Sequence, residues 1–477
     1  MTHKTTLAII GAGSAGLTAL KEAQRVTDDI ILINHGPYGT TCARVGCMPS
    51  KALIAPAQAL QRRSFMARAG VRGTDALSVD LPAVLRHVRA LRDRFVQGPI
   101  ELAESLGARS FSGRARFVDA NTLEVGAERI TAERTIIATG SRPIVPDAWK
   151  TLGPRVLTSD DVFEQEDLGP RVAVVGLGAV GTELGQALAL LGLQVTGLTQ
   201  GETVAGLTDP AVSNALLEAL RKDMRIVTGV QAELEPLGET AVRVRAGGEV
   251  HDVDWVLASL GRRPNLEGLG LEQLGVALDA RGMPAFDRQT LRLDGLPIYI
   301  AGDASGIRPI LHEAADEGRI AAYHALHPDT ECLARRARMG VVFTEPGAAV
   351  VGRSLRDLQA TGTDFVAGEA DFSRQSRALM EGRNAGLLRV YLDSPDGRIL
   401  GAEIAAPAAE HLAHLLAWAI QAGMTVDDVL QLPFYHPVVE EGLRSALQAA
   451  RRALGKRRVT PDLPLCGEPA AWALGGD

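Results

Sequence analysis

Leu7-Ala8-Ile9-Ile10-Gly11-Ala12-Gly13-Ser14-Ala15-Gly16 is an apolar run that ends in three glycines spaced G-x-G-x-x-G. Leu7–Ile10 has the length and character of a buried strand, and a helix is predicted from Leu17. In such a pattern Gly11 permits the tight turn. Gly13 lets a pyrophosphate approach the backbone, and Gly16 lets helix and strand pack closely. The phosphate rests on the helix N-terminus, which Ser14 and Ala15 introduce. A second apolar run, Ile30–Ile33, completes a βαβ unit. Glycine-rich turns without ligands are common, and it is the strand before and the helix after that give this one weight.

The same grammar recurs downstream. Strand Val172–Val175 leads into Gly176-Leu177-Gly178-Ala179-Val180-Gly181, then a helix to Leu191 and a strand Gln194–Leu198. Two copies of one unit imply two domains, each binding a different dinucleotide. An acid usually stands about 20 residues beyond the first glycine to bind a ribose hydroxyl. Asn34 ends the first strand here and can still hydrogen-bond a hydroxyl, whereas Thr199-Gln200 end the second. Loss of a carboxylate at Thr199 removes repulsion against a 2′-phosphate, yet no arginine stands there to attract one. NADH and NADPH both remain open, with a relaxed preference expected.

Further out, helices are predicted near 51–69 and 81–106. Strands are predicted at Thr135–Ala138, Gly340–Thr344 and Gly386–Leu392, and a helix at Ala409–Ala422. The 477 residues suggest about three domains. With 22% charged residues and a net charge of −7, both signs spread along the chain, neither nucleic acid nor an anionic membrane is the expected partner. No signal peptide is visible, and no apolar run reaches the roughly 18 residues that span a bilayer. Four cysteines are too few for a secreted disulfide scaffold. The expectation is a cytoplasmic protein, where a close cysteine pair is more often catalytic or metal-binding than structural.

That pair lies in Thr40-Thr41-Cys42-Ala43-Arg44-Val45-Gly46-Cys47-Met48-Pro49-Ser50-Lys51. Residues five apart on an ideal helix have Cα atoms roughly 8.6 Å apart, and a disulfide needs less than about 7 Å. A redox pair here therefore requires a distorted helix. Pro49, which cannot donate to the Val45 carbonyl, is the expected cause, with Gly46 adding freedom. Two buried thiols, or half of a zinc site, are the alternatives, although no second Cys/His cluster completes a metal set. Cys332 is read as a small buried hydrophobe, Cys466 as a bystander in a mobile tail, and the basic helix around Arg86–Arg94 as a solvated face.

Taken in order, these segments resemble the pyridine nucleotide-disulfide oxidoreductases, the family that includes dihydrolipoamide dehydrogenase, glutathione reductase and mercuric reductase. The likeness runs from about Thr6 to Lys456. It takes in both fingerprints, Cys42–Lys51, Ala138-Thr139-Gly140-Ser141, Gly261-Arg262-Arg263-Pro264-Asn265, Gly302-Asp303 and the His436 region. The resemblance implies an α/β fold with two Rossmann-like dinucleotide-binding domains and a C-terminal α+β dimerisation domain. The boundaries it suggests are an FAD domain at 1–152, an NAD(P) domain at 153–282, a return to the first domain at 283–338, a dimerisation domain at 339–456 and a tail at 457–477.

It also implies roles. Cys42 is the exchange thiol and Cys47 the thiolate against the flavin. Lys51 sits near the flavin, paired with Glu183. Thr41, Ala115, Thr139, Gly140, Ser141, Asp303 and the stretch Pro309, Ile310, Leu311 and His312 contact FAD, while Val180, Glu183, Thr199 and Gly261 belong with the fingerprint of the NAD(P) site. His436, from the partner subunit of a homodimer, is the acid/base, oriented by Glu441; outside this context His436 reads as an ordinary histidine. Val438 and Thr40 depart from the family's usual threonine and glycine. The implied activity is dihydrolipoamide dehydrogenase-like, with a small dithiol or a lipoylated carrier protein as partner. The alternatives are an NAD(P)H-dependent reductase of glutathione-like disulfides, a component docked in a multienzyme complex, or a redox-sensing flavoprotein. A tail with Cys466 alone argues against mercuric reductase, and no metal is expected.

Overall fold

A computed structural model of the chain describes residues 1–455 and 462–463. The tail expected at 457–477, Asp462 and Leu463 apart, lies outside the described residues, as does Cys466. Two compact units emerge: residues 1–53, 80–168 and 257–335 form one, and 54–79, 169–256 and those from 336 onward form the other.

The first unit is built on a seven-stranded sheet. Strand Thr2–Ile10 lies between Ile30–Asn34 and Glu128–Ile137, parallel to both, with Ile10 opposite Ile33 on one side and Ile137 on the other. Ser110–Ser112 extends the sheet beyond Ile30–Asn34, and Ile298–Ile300 pairs in parallel with the end of Glu128–Ile137. Leu7 and Ile9 point into one buried cluster with Leu20, Ile136 and Tyr299, whereas Ala8 and Ile10 point into another with Ile33, Phe117 and Ile300. Both faces of the sheet are therefore covered, which is why its strands read as unbroken apolar runs. The aligned carboxyl ends at Ile10, Asn34, Ile137 and Ile300 form the edge at which doubly wound sheets take ligands.

The helix after the first fingerprint spans Ser14–Ala23 and begins three residues earlier than the sequence suggests, because extended Gly13 is its N-cap. Helix Leu311–Leu326 lies against it. A Cβ on Gly318 would stand 2.3 Å from the Ala15 carbonyl oxygen, so only glycine allows this approach.

Residues 153–168 and 257–282, expected with the second nucleotide domain, sort instead with the first unit. Strand Arg262–Pro264 pairs antiparallel with Ser141–Pro143, and this pairing holds the later segment there. The helices expected near 51–69 and 81–106 each divide, into Cys47–Gln61 and Arg63–Arg68, and into Leu81–Phe95 and Gln97–Glu104. The basic helix is not wholly solvated. Arg86 and Arg94 are exposed, but Arg89 donates to the Phe163 and Gln165 carbonyls and Arg92 pairs with Glu164.

In the second unit, Arg171–Val175 and Arg225–Val227 flank Gln194–Leu198 in parallel, and helix Ala179–Leu190 follows the second fingerprint. From Met339 onward a five-stranded antiparallel sheet carries helices Ala409–Gln421 and Glu441–Ala453. The second of these lies directly on strand Phe365–Asp371, where a Cβ on Gly368 would come within 2.1 Å of the Ala450 nitrogen. Leu388, Val390, Leu412, Leu416 and Leu447 fill the core between. Among the described residues no helix is long and apolar enough to cross a membrane.

Candidate active site

Helix Thr41–Val45 ends at Gly46 and a new helix, Cys47–Gln61, begins at the next residue. The chain is thus broken between the cysteines, as the spacing demands, but Gly46 rather than Pro49 makes the break. A Cβ on Gly46 would sit 3.0 Å from the Thr41 carbonyl oxygen and 3.1 Å from Cys42 Cα. Pro49 lies in the first turn of the new helix, where it needs no N–H partner. Cys42 and Cys47 stand as thiols hydrogen-bonded to each other, with no disulfide between them. That bond, burial and the neighbouring sulfur push the Cys42 thiol far up, against the opposing pull of the Cys47 amide and Lys51. The two cysteines have unequal surroundings: Cys42 is partly buried with its thiol pushed up, and Cys47 is exposed at the end of a helix that favours negative charge.

Around the first fingerprint the backbone is shaped for a ligand. Gly11 has φ +112°, and a Cβ there would strike the Ala138 carbonyl oxygen at 2.3 Å; one on Gly16 would strike the Gly11 oxygen at 1.9 Å. Gly13, by contrast, has only a single atom at 4.0 Å, which leaves its face open to a phosphate. Asn34 is buried. Its Oδ1 accepts from the Ala12 N–H at 3.0 Å and its Nδ2 donates to the Gly36 carbonyl, so it ties the fingerprint to the neighbouring strand end. Ala115 is buried in the strand Ala115–Phe117, and Thr41 is the exposed first residue of its helix.

Thr139–Ser141 leave the end of strand Glu128–Ile137, with Gly140 at φ +69°. Ser141 Oγ donates to Asp303 Oδ2 at 2.6 Å, and Arg262 grips Ser141 twice, at Oγ and at the carbonyl, both at 2.8 Å. Asn265 donates through its side chain to the Thr139 carbonyl and through its N–H to the Gly140 carbonyl, while its Oδ1 accepts from Arg142 at 2.9 Å. Glu317, wholly buried, receives the Gly302 N–H and the Ser305 hydroxyl and pairs with Arg335, which fixes the turn bearing Asp303. Ile310 caps helix Leu311–Leu326 with no side-chain bond. The buried Thr139 Oγ1 and His312 Nε2 have no partner among the described residues. An open glycine, uncapped helix ends and unpartnered polar atoms along one sheet edge are what a dinucleotide cofactor requires.

The second fingerprint repeats the shape, with Gly176 at φ +94° and nothing within 4 Å of a Cβ on Gly178. Val180 is exposed beside it and Gly181 is buried. Thr199 donates its N–H to the Val227 carbonyl at the strand end. Glu183 is buried and accepts the Phe343 N–H at 2.8 Å. In the same unit, His436 Nδ1 lies 3.0 Å from Glu441 Oε1, and the Val438 N–H reaches Glu441 Oε2 at 3.3 Å. Gln375 holds the loop from below, donating to the Val438 carbonyl at 2.8 Å.

A family model for pyridine nucleotide-disulphide oxidoreductases matches residues 5–318, and one for the dimerisation domain of the same enzymes matches 339–447. The chain belongs to this family. Relatives include the dihydrolipoyl dehydrogenases of Geobacillus stearothermophilus, 32% identical over 95% of this chain and 97% of that one, and of Bacillus subtilis, 31% identical with the same coverage. Among solved structures, LpdA from Mycobacterium tuberculosis is 26% identical with a TM-score of 0.79, covering 94% of this chain and 99% of its own. The HOCl-induced flavoprotein disulfide reductase RclA from Escherichia coli is 22% identical with a TM-score of 0.81 over 93% of this chain and 99% of its own, a likeness of fold.

As a member of the pyridine nucleotide-disulphide oxidoreductases, the chain is a flavoprotein oxidoreductase that uses FAD and NAD(P). The residues around the first fingerprint fit FAD, and those around the second fit the nicotinamide nucleotide. Sequence reasoning missed Arg262, Asn265, Glu317 and Gln375, which act by bracing other residues. Arg262 and Asn265 could have been found, since they stand inside the Gly261–Asn265 motif itself. Cys332, expected to be buried, is exposed. It lies in an irregular stretch between helix Leu311–Leu326 and strand Met339–Val342, with Asp329, Glu331, Arg335 and Arg336 close by in the chain.

Proposed function

We propose that this enzyme oxidises a small dithiol, dihydrolipoamide or the lipoyl group of a carrier protein, with NAD(P)+ as acceptor. The observation that carries the reading is the unequal cysteine pair across the Gly46 break. The names of the relatives that cover nearly the whole chain support the choice of dithiol.

One substrate thiol gives its proton to His436 of the other subunit in a homodimer, and its sulfur attacks Cys42. The Cys42–Cys47 bond breaks, a substrate–Cys42 disulfide forms, and Cys47 leaves as a thiolate at its helix end. The second substrate thiol then displaces Cys42, which takes up that thiol's proton. The substrate departs as a disulfide, and the protein holds two more electrons. Bound FAD supplies the relay that carries this electron pair to NAD(P)+ and restores the protein disulfide. Glu441 holds the His436 ring in place. Lys51 would serve the flavin from the helix that carries Cys47, and Asp303, with Ser141, would hold its ribityl chain. Pro309–His312 would offer backbone and the His312 imidazole to the same cofactor. The cysteine usage supports a cytoplasmic site of action.

Steady-state assays with dihydrolipoamide and NAD+ or NADP+, set beside NAD(P)H with oxidised glutathione, test the reading. Turnover of dihydrolipoamide supports it. Turnover of glutathione alone replaces it with a disulfide reductase.

A further inference from the structure

Thr40 stands two residues before Cys42 in a conformation that few side chains adopt. Its φ is +58°, and no other residue of helix Thr41–Val45 or its flanks departs from the L-residue regions in this way except Gly39, at φ +108°. A β-branched residue is poorly suited to positive φ. Glycine would take this conformation without strain. Gly39 itself is pinned, since a Cβ there would meet Val96 Cβ at 2.9 Å. What Thr40 offers that glycine cannot is its hydroxyl, which accepts the Ala43 N–H at 3.1 Å and caps the five-residue helix carrying Cys42. The Arg44 N–H also reaches the Thr40 carbonyl, so side chain and backbone of one residue close the first turn together.

We propose that Thr40 is a positioning residue for the exchange thiol: its hydroxyl cap holds the Cys42 helix so that the Cys42 thiol stays engaged with Cys47, at the expense of a strained backbone. Strain that persists beside a reactive group is held there by its surroundings and bears on what the group does. The cap fixes the turn on which Cys42 sits, and the hydrogen bond between the two sulfurs depends on that turn keeping its place. Loss of the cap frees Cys42 to leave its partner, while loss of the positive-φ threonine relieves the backbone. The two effects act in opposite directions and can be separated. The inference rests on Cys42 being the exchange thiol.

The test uses the full-length holoenzyme reduced anaerobically with dithiothreitol, with Thr40→Ala, Thr40→Gly and Thr40→Ser compared with the unaltered chain. Iodoacetamide labelling of Cys42 is followed by mass spectrometry across pH, alongside thermal unfolding. The expected result is labelling of Cys42 about fivefold faster at neutral pH in Thr40→Ala and Thr40→Gly, the scale of a lost N-cap, with the labelling midpoint moved to lower pH. Thr40→Ser, which keeps the hydroxyl, should label like the unaltered chain. Thr40→Gly should unfold no earlier than the unaltered chain, although its thiol chemistry has changed; a merely structural role would make labelling follow stability. Identical labelling in all four proteins, or Thr40→Ser behaving like Thr40→Ala, overturns the inference. A failure of the functional reading appears elsewhere, as an absence of dihydrolipoamide turnover in the unaltered chain.

Discussion

His436 Nδ1 and Glu441 Oε1 are 3.0 Å apart, five residues from each other, with the imidazole mostly exposed and the carboxylate at the first position of helix Glu441–Ala453. His436 holds the Glu441 carboxyl below the usual carboxylate range, with help from the Val438 N–H and Arg444. A carboxyl depressed in the folded protein makes its full contribution above its ordinary value, about 4.3. That contribution is lost only as pH falls through the lowered value. The carboxylate therefore orients His436 throughout the neutral range, and no inflection in the pH–rate profile above about pH 5 should belong to it. Glu441→Gln should lower the rate of dithiol oxidation by on the order of tenfold, while flavin reduction by NAD(P)H in single-turnover absorbance is unaffected.

Gln375 acts one step behind this pair, donating to the Val438 carbonyl and accepting the Ala378 N–H at 2.7 Å. Gln375→Ala should lower dithiol turnover less than Glu441→Gln does. The expected effect is a factor of about three to ten, the scale of one lost hydrogen bond, measured as kcat with the nucleotide KM unchanged.

Arg262 reads a hydroxyl and a carbonyl of Ser141 in one planar grip, and Ser141 in turn donates to Asp303. Lysine has the charge but lacks the fork. Arg262→Lys should therefore purify with substoichiometric FAD, read from the ratio of visible to ultraviolet absorbance, and added FAD should restore the deficit only partly. Asp303→Ala should lose more flavin than Arg262→Lys.

Glu403 is fully buried and accepts four bonds, from the N–H groups of Thr208, Asp209 and Leu355 and from the Thr208 hydroxyl. Asp209 caps helix Pro210–Leu220 and receives Arg389 and the Tyr391 hydroxyl. Glu403→Ala leaves the Thr208, Asp209 and Leu355 N–H groups, one buried and two part-buried, without this acceptor and should cost on the order of 3 kcal/mol, seen as an earlier thermal transition of the second unit.

If the second fingerprint holds the nucleotide, Thr199, the first residue past strand Gln194–Leu198, is placed to sense a 2′-phosphate. Thr199→Glu should shift the kcat/KM ratio toward NAD+ by about tenfold or more. An unchanged ratio would place nucleotide choice in other residues.

Much of this was legible in the chain because the features concerned are local. A buried parallel strand must be continuously apolar, and a tight turn must use glycine where the backbone closes, so Leu7–Gly16 and Val172–Gly181 announced their strand–turn–helix conformation. The cysteine spacing demanded a broken helix. The agent of the break was misjudged, because Pro49 is disruptive only inside a helix and the chain restarts its helix at Cys47. The bracing residues were harder to see. Glu317 and Gln375 act through contacts with segments distant in sequence, and no periodicity or motif marks them. The sorting of residues 257–282 with the first unit has the same origin, since the antiparallel pairing of Arg262–Pro264 with Ser141–Pro143 joins strands over a hundred residues apart. Cys332 was misplaced because cysteine is usually buried, whereas here it is exposed in an irregular stretch with charged residues close by in the chain.

Whether Cys42 and Cys47 form a redox pair that serves a dithiol is decided by anaerobic visible absorbance of the holoenzyme during titration with dihydrolipoamide. The expected result is a long-wavelength charge-transfer band that rises with dithiol, is discharged by NAD+ or NADP+, and is missing in Cys47→Ser. A spectrum unmoved by dihydrolipoamide, with the flavin still reducible by NAD(P)H, would contradict it.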